Sequence, residues 1–463
     1  MDYVEISNSI IVYALCGITV AIAFVQAFLY IRMAKKMTVK ANIPKEVPKT
    51  AFRVGLISAI GPALGVFIVM VGLMTSIGGP MAWQRLSIIG AAPTELTAAT
   101  LGAEAAGAEL GGMGFTLEVM AVTWFVMALN GAGWLLVTGC FTPALETLRN
   151  KMSGGDPKWL IVMSGACSIG IFGYLNVSEI AKGWGNAAAV VGGVAGMMLL
   201  EKLVVPKFPK IREYNLGIAM LIGMACAVIY DISLGAEEGL NMENKEFMKE
   251  WKRNSIRIGT PTNIIAAFTS FIPVIWLCLK YDCWPDPKVV LAGWGMVALS
   301  FGAFYIVEPI SYYASLGLTG TYLSFLSGNI GNMRVPCATM ALETTDSEPG
   351  TLQAEVASTM AICGSIITNL IATTAAVLIG SVVVSVLPDI VVSALTKYAA
   401  AAIFGGTFGT YALKYPKVAI FGIGLALAMK FLLSPPAWVL FVVSVFGSLG
   451  FARLMYVKEK KSA

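Results

Sequence analysis

The 463-residue sequence contains no histidine. Histidine is the commonest proton shuttle near neutral pH and the usual ligand of haem iron and catalytic zinc. Its absence removes the main proton-transfer residue and the main ligand of these metal sites. A glycine-rich loop of the Walker type is also missing, and the sequence therefore predicts no ATPase. The eight cysteines are scattered and form no CxxC pair. This pattern indicates small buried thiols and not a metal site.

Charge is scarce as well. Only 13% of the residues are charged, whereas about 25% are charged in a soluble domain. Hydrophobic residues make up 57% of the chain, and the mean hydropathy is +0.77. The composition therefore predicts an all-α polytopic membrane protein, with about 10–12 runs that are apolar and long enough to cross a bilayer.

The basic residues are concentrated between the first two apolar runs. They are Arg32, Lys35, Lys36, Lys40, Lys45, Lys49 and Arg53. Short loops rich in Lys and Arg stay in the cytoplasm, so this loop is expected inside and the acidic N-terminus "MDYVE" outside. The first run, 10–31, has no basic n-region before it and no small-residue cleavage site, so we interpret it as a retained helix and not a signal peptide.

Several sequence matches in the same order suggest two related halves. "AAAVVGGVAG" at 187–196 parallels "AAAIFGGTFG" at 400–409, and Asn130 and Asn369 follow similar helical runs. We predict a first transmembrane repeat at 1–235, an amphipathic interfacial linker at 236–262 and a second repeat at 263–463. Repeats of this kind are common in secondary transporters. The sequence leaves open whether the halves are parallel or inverted.

Each half contains one irregular segment punctuated by Gly and Pro. The first is 78–112, with "GGPMAWQRLSIIGAAPTELTAATLGAE", and the second is 308–350, with "SGNIGNMRVPCATMALE". Their apolar pieces are too short to cross a bilayer and too apolar for an ordinary surface loop, which is the alternative interpretation. Both are predicted to be broken re-entrant hairpins. Their exposed backbone groups would require protein or water around them.

The residues around the two breaks are the predicted substrate site. Thr94 and Glu95, after Pro93, are expected to face Asn329, Asn332 and Arg334 across a cavity. The planar guanidinium of Arg334 could bind a substrate carboxylate through two parallel hydrogen bonds. The alternatives are a structural ion pair with Glu343 or Glu308, or an arginine that extends to the membrane surface. Arg85 is a candidate of the same type.

Polar residues inside the apolar runs are candidates for ion coupling: Glu118, Asn130, Glu308, Glu355 and Asn369. Intramembrane carboxylates carry protons or bind cations in many transporters. For each carboxylate the alternative is a position at the membrane boundary, and for the asparagines it is a hydrogen bond between helices. No cofactor is predicted apart from Na⁺ as one of the two candidate coupling ions.

Three stretches carry a resemblance to a known family. They are "FRVGLISAIGPALGVFIVMVGLM" from Phe52, "RLSIIGAAPTELTAAT" from Arg85 and "GNIGNMRVP" from Gly328. With them the chain resembles a family of bacterial polytopic membrane proteins of unknown function, best over 1–235. The resemblance implies the bacterial inner membrane. Because the family is uncharacterised, it assigns no role to any residue.

These observations together predict a secondary active transporter of a small, carboxylate-bearing solute, driven by Na⁺ or H⁺. An ion or small-solute channel is one alternative, because re-entrant hairpins also form selectivity filters. A membrane subunit of a larger complex is another. An enzyme is not predicted, because no nucleophile–base spacing is evident. The expected partners are the lipid bilayer and the solute but no nucleic acid, and a homo-oligomer is left open.

Overall fold

The computed structural model describes residues 3–112, 114–153, 157–181, 184–205, 218–219, 222, 245–302, 304–386, 404–405, 408–409, 411–433, 435 and 437–462. Within these ranges every regular element is a helix and no strand is present. This confirms the predicted all-α class.

The helices before residue 206 are α1 (Tyr3–Ser7), α2 (Ile10–Lys40), α3 (Glu46–Ser58), α4 (Ile60–Ile77), α5 (Gly79–Ser87), α6 (Ala92–Ala105), α7 (Leu117–Ser153), α8 (Pro157–Ile180) and α9 (Trp184–Leu199), which ends in a π-helical turn, Leu200–Val204. Those after residue 244 are α10 (Lys245–Thr269), α11 (Ile272–Tyr281), α12 (Pro287–Phe301), α13 (Phe304–Ser327), α14 (Val335–Thr344), α15 (Leu352–Val386), α16 (Pro416–Ala428) and α17 (Ala437–Ser462). Two more π-helical turns, Ile330–Arg334 and Met429–Leu433, precede α14 and follow α16.

Eight helical stretches of the described residues are long and apolar enough to cross a membrane. They are Ile10–Lys40, Glu46–Ile77, Leu117–Leu145, Ala187–Val204, Met248–Tyr281, Leu352–Gly380, Pro416–Leu433 and Val439–Lys458. A ninth results if the pair Pro287–Leu299 and Phe304–Tyr313, bent by 70°, is one span. The chain is therefore a multi-pass membrane protein. Most of residues 206–244 and 387–410 lies outside the described part of the chain, so a total of 10–12 stays a prediction.

Helix α10 runs through the boundary that was predicted between residues 262 and 263. Its Trp251 is fully buried. The Tyr30 hydroxyl of α2 donates to the Ser255 carbonyl at 2.8 Å, and the Gln26 amide of α2 donates to Asn263 Oδ1 at 2.9 Å. The apolar side of this amphipathic segment thus packs on protein. The sequence could not show this, because an amphipathic pattern does not distinguish a lipid surface from a protein core. Residues 236–244 of the linker lie outside the described part, and the division into two halves stays a prediction.

Two short helices flank a break in each irregular segment. The first broken segment (residues 78–105) consists of α5 and α6 on either side of a break at 88–91. The second (residues 317–344) starts where α13 kinks at Gly317, with φ 71°, and breaks at 328–329 before the π-helical turn and α14. Its predicted start at residue 308 stays a prediction, because Phe304–Tyr313 is also the second arm of the bent pair. With 9 and 14 residues, α5 and α6 are each too short to cross a bilayer.

Candidate functional site

The two broken segments touch each other at their breaks. The backbone N–H of Ile89 donates to the carbonyl of Leu326 at 2.8 Å, and the N–H of Asn329 donates to the carbonyl of Gly90 at 3.3 Å. A backbone group without a hydrogen bond is unfavourable in hydrocarbon, by on the order of several kcal/mol. At this contact each break provides hydrogen-bond partners for the other. We call this contact the crossing. It lies between residues that the sequence placed in separate halves.

Gly328 is the point of closest approach at the crossing. Its φ is 62°, a left-handed conformation that residues with a Cβ rarely adopt. A Cβ added there would also collide with the carbonyl oxygen of Gly90. The crossing therefore depends on a glycine at this position for both conformation and space.

Replacing Gly328 by alanine is expected to destabilise the protein. A left-handed conformation costs a non-glycine residue about 1–3 kcal/mol, and the collision with Gly90 adds to this. The thermal unfolding midpoint of the purified protein should fall. Gly450→Ala is the matched control, because Gly450 lies in α17 with open space around it, and alanine favours a helix. Equal midpoints for the two variants would contradict the proposed packing at Gly328.

A buried ion pair bridges the first break. Arg85 Nε donates to Glu95 Oε2 at 2.7 Å and Arg85 Nη2 to Glu95 Oε1 at 2.8 Å, with both side chains 1% exposed. Arg85 lies in the last turn of α5 and Glu95 in the first turn of α6, where each charge is favoured by the helix dipole. The sequence expected Glu95 to face a substrate cavity. In the structure its carboxylate is occupied by Arg85.

Two glycines leave room for this ion pair. A Cβ on Gly90 would overlap the Glu95 carboxylate, and a Cβ on Gly131 of α7 would overlap the Arg85 guanidinium. Gly131 also packs against Ile89 of the break. Helix α7 is thus in direct contact with the first break.

Arg334 holds the second break. It is fully buried and donates to the carbonyls of Ser327 at 2.7 Å and Gly328 at 3.0 Å, and to Ser365 Oγ at 3.0 Å. The first two carbonyls end the helix of residues 318–327, so the cation lies at the negative end of that helix. No carboxylate of the described residues pairs with Arg334. The crossing therefore contains one neutralised ion pair and one uncompensated positive charge.

Neither structural partner suggested for Arg334 by the sequence is used. Glu343 forms an ion pair with Lys414. Glu308 accepts a hydrogen bond from Trp134 Nε1 at 2.8 Å. The alternative of a surface arginine is also excluded by the complete burial of the side chain.

A polar stripe of α15 lies against both breaks. Ser365, Asn369 and Thr373 are spaced four residues apart, on one face of the helix. Asn369 Nδ2 donates to the Leu86 carbonyl at 3.2 Å, and the Thr373 hydroxyl contacts Ser87 Oγ at 2.8 Å. These bonds go to groups at the end of α5, whereas Ser365 accepts a hydrogen bond from Arg334. The sequence prediction included only Asn369, although the four-residue spacing was visible.

Two buried amide oxygens at the crossing lack a donor among the described residues. Asn329 Nδ2 donates to the same Leu86 carbonyl as Asn369, at 3.4 Å. This shared acceptor fixes the orientation of both amides and turns each Oδ1 away from it. Both Oδ1 atoms are buried without a hydrogen bond. They are acceptors available to a donor group from elsewhere.

Glu355 has a local structural role. Its carboxylate accepts the backbone N–H of Leu318 at 3.2 Å and the Trp251 indole N–H at 3.0 Å. It thus lies at the N-terminus of the helix that begins after Gly317, where a negative charge is favoured.

Other predicted residues lie at different distances from the crossing. Asn130 is buried and accepts a hydrogen bond from the Tyr305 hydroxyl at 2.9 Å. Thr94 and Asn332 are half-buried near their breaks. Glu118 is exposed in the first turn of α7, about 18 Å along the helix from Asn130 at 1.5 Å per residue. The structure therefore brings Asn130 towards the crossing and leaves Glu118 outside it.

The comparisons with known proteins concern the first part of the chain. Residues 8–224 match the model of a family described as a domain of unknown function (DUF5058). This confirms the resemblance to an uncharacterised family that the sequence showed best over residues 1–235. No curated protein and no solved structure matches the chain.

Proposed function

We propose that this protein is a secondary active transporter of a small, carboxylate-bearing solute that binds at the crossing. The observation that carries the proposal is Arg334, a buried cation without a carboxylate partner among the described residues, held where two broken segments meet. Broken helices that meet inside a membrane protein are a recurrent form of transporter binding site.

Electrostatics favours an anionic solute. Arg85 and Glu95 neutralise each other, so the net charge of the crossing comes from Arg334. An isolated buried charge is unfavourable, and charged residues within membranes pair with an opposite charge or with backbone carbonyls, of which Arg334 has only the carbonyls among the described residues. A solute carboxylate would supply this missing charge. The unpaired Oδ1 atoms of Asn329 and Asn369 could accept hydrogen bonds from a hydroxyl or amino group of the same solute.

The crossing can also be opened without unfolding a helix. Two backbone hydrogen bonds join the breaks directly, Ile89 to Leu326 and Asn329 to Gly90. Separating them would move short helices relative to one another while the long helices α7 and α15 stay intact. Rigid movements of this type expose a central site alternately to the two sides of a membrane. Na⁺ or H⁺ would drive the cycle in the plasma membrane of a bacterium, with the N-terminus outside.

Uptake by proteoliposomes tests the proposal. Radiolabelled monocarboxylates, dicarboxylates, hydroxy acids and amino acids are offered under an imposed Na⁺ or pH gradient. We expect accumulation of at least one carboxylate, absent from protein-free liposomes and retained by Arg32→Gln, which changes an exposed arginine of α2. Failure of every solute under both gradients would overturn the proposal. Unitary conductance steps in a planar bilayer would instead favour a channel.

A further inference from the structure

Glu308 is a half-buried carboxylate without a cation partner among the described residues. It lies in α13, just after the 70° bend that separates α12 from α13. Its Oε2 accepts the Trp134 indole N–H at 2.8 Å, and no ion pair or further hydrogen bond joins it to a described residue. Glu95 has Arg85, Glu343 has Lys414 and Glu355 has a helix N-terminus. Glu308 has only one neutral donor.

The surroundings of Glu308 are largely aromatic. The ring of Trp134 packs edge-on against Tyr305, with centroids 4.7 Å apart, and lies 6.3 Å from Phe301 of α12. Among the described residues, the titratable groups that face the carboxylate are Tyr174 of α8 and Tyr312 of α13, and Tyr174 is also close to Glu179. None of these groups is a cation. A negative charge on Glu308 is therefore poorly compensated, and binding of a proton removes it.

We propose that Glu308 is the proton-binding site that couples solute movement to a pH gradient. The inference rests on the proposed transport function and names its coupling ion as H⁺. The step is the addition of one proton to the ionised carboxylate, which gives the neutral acid; no other bond is made or broken. Protonation weakens the bond from Trp134, because a hydrogen bond to a charged acceptor is about twice as strong as one to a neutral acceptor.

Contacts along α7 connect Glu308 with the crossing. Trp134 and Asn130 are one helical turn apart, and Asn130 accepts the Tyr305 hydroxyl of α13 at 2.9 Å. The next residue, Gly131, packs against Arg85 and Ile89 of the first break. A change in the contact between Trp134 and Glu308 thus acts on α7 and α13, the two helices that contact Ile89 of the first break.

The rival location for a coupling cation is the pair of amide oxygens at the crossing. Arg334 donates to Ser365 Oγ, and Ser365 lies one turn before Asn369 on α15. A sodium ion on Asn369 Oδ1 and Asn329 Oδ1 would therefore lie beside a buried guanidinium and be repelled by it. Glu308 and Arg334 share no ion pair or hydrogen-bond partner among the described residues, which suits separate proton and anion sites.

Infrared difference titration of the purified protein tests proton binding directly. Lowering the pH should produce the C=O stretching band of a protonated carboxyl group in an apolar environment. This band should be absent in Glu308→Gln, whose amide oxygen can still accept the Trp134 bond. Glu118→Gln is the matched control, because it changes an exposed carboxylate of α7, and it should retain the band. A band that persists in Glu308→Gln overturns the assignment.

Transport then tests the coupling. Wild-type proteoliposomes should accumulate solute under a pH gradient and not under a Na⁺ gradient alone, and Glu308→Gln should lose its response to the pH gradient. Unfolding midpoints of the two proteins identify a folding defect. If no solute is transported, the proposed function fails while the infrared result still decides whether Glu308 binds a proton. A proton bound without any effect on transport would overturn the coupling.

Discussion

Arg334→Ala is expected to abolish solute uptake. Removing a desolvated arginine from an arginine–carboxylate contact weakens binding by about 2–5 kcal/mol, because the solute charge is left unpaired. The substitution also removes the donors to the Ser327 and Gly328 carbonyls and to Ser365. A buried acceptor left without its donor costs about 1–3 kcal/mol, so the unfolding midpoint should fall as well.

Arg334→Lys separates charge from geometry. A lysine keeps the positive charge, but its single ammonium group cannot reproduce the planar arrangement in which three guanidinium nitrogens reach three oxygens. We therefore expect uptake by Arg334→Lys to be nearly as low as uptake by Arg334→Ala. Arg32→Ala is the control, because Arg32 is exposed on α2. Normal uptake by either Arg334 variant, measured at equal amounts of folded protein, would contradict a role of this residue in binding.

Breaking the ion pair between Arg85 and Glu95 is expected to have the largest effect on stability. Loss of one partner of a buried pair costs about 3–5 kcal/mol, because the other charge stays buried and uncompensated. Arg85 is already short of partners, since its Nη1 has no hydrogen-bond acceptor among the described residues. Glu95→Gln and Arg85→Gln should both lower the free energy of unfolding by this amount, as measured by denaturant or thermal unfolding in detergent.

The double variant distinguishes this mechanism from simple loss of contacts. Replacing both charges by apolar residues of similar size, Arg85→Met with Glu95→Leu, leaves no buried charge and is often close to neutral in such pairs. Its free energy of unfolding should therefore lie nearer to the wild-type value than that of either single variant. The exposed pair Lys49–Glu46, 3.0 Å apart, is the control and should contribute about 0–1 kcal/mol. Additive effects of Arg85→Met and Glu95→Leu, each also measured as a single variant, would contradict coupling.

The sequence predicted the membrane class and the two breaks because both follow from local composition. Apolar runs need no tertiary information, and glycine and proline between short apolar pieces indicate where a helix cannot continue. The family resemblance over the first part was likewise visible in short stretches around Phe52 and Arg85. The all-α fold and these positions were therefore predictable from residues next to each other in the chain.

Side-chain partners were much less predictable. Arg85 and Glu95 are ten residues apart and meet across the break at 88–91. The hydrogen bonds from Arg334 go to backbone carbonyls, which every sequence has, so no residue type indicates them. Trp251 and Glu355 are more than 100 positions apart in the sequence, and they meet because their two helices come together in the fold. Such partners depend on the path of the backbone at the breaks, which the pattern of residue types does not specify.

The amide pair between α2 and α10 has a consequence for how the chain matures in the cell. Gln26 is buried and donates to Asn263 Oδ1 and to Thr262 Oγ1, both on a helix synthesised more than 200 residues later. Until α10 is made, the Gln26 amide in the inserted α2 has no protein partner there and faces lipid or water, which is unfavourable in hydrocarbon. Stable burial of α2 thus has to wait until translation has passed the middle of the chain. Truncated products that end before α10 should accordingly be poor substrates for assembly and good substrates for membrane proteases.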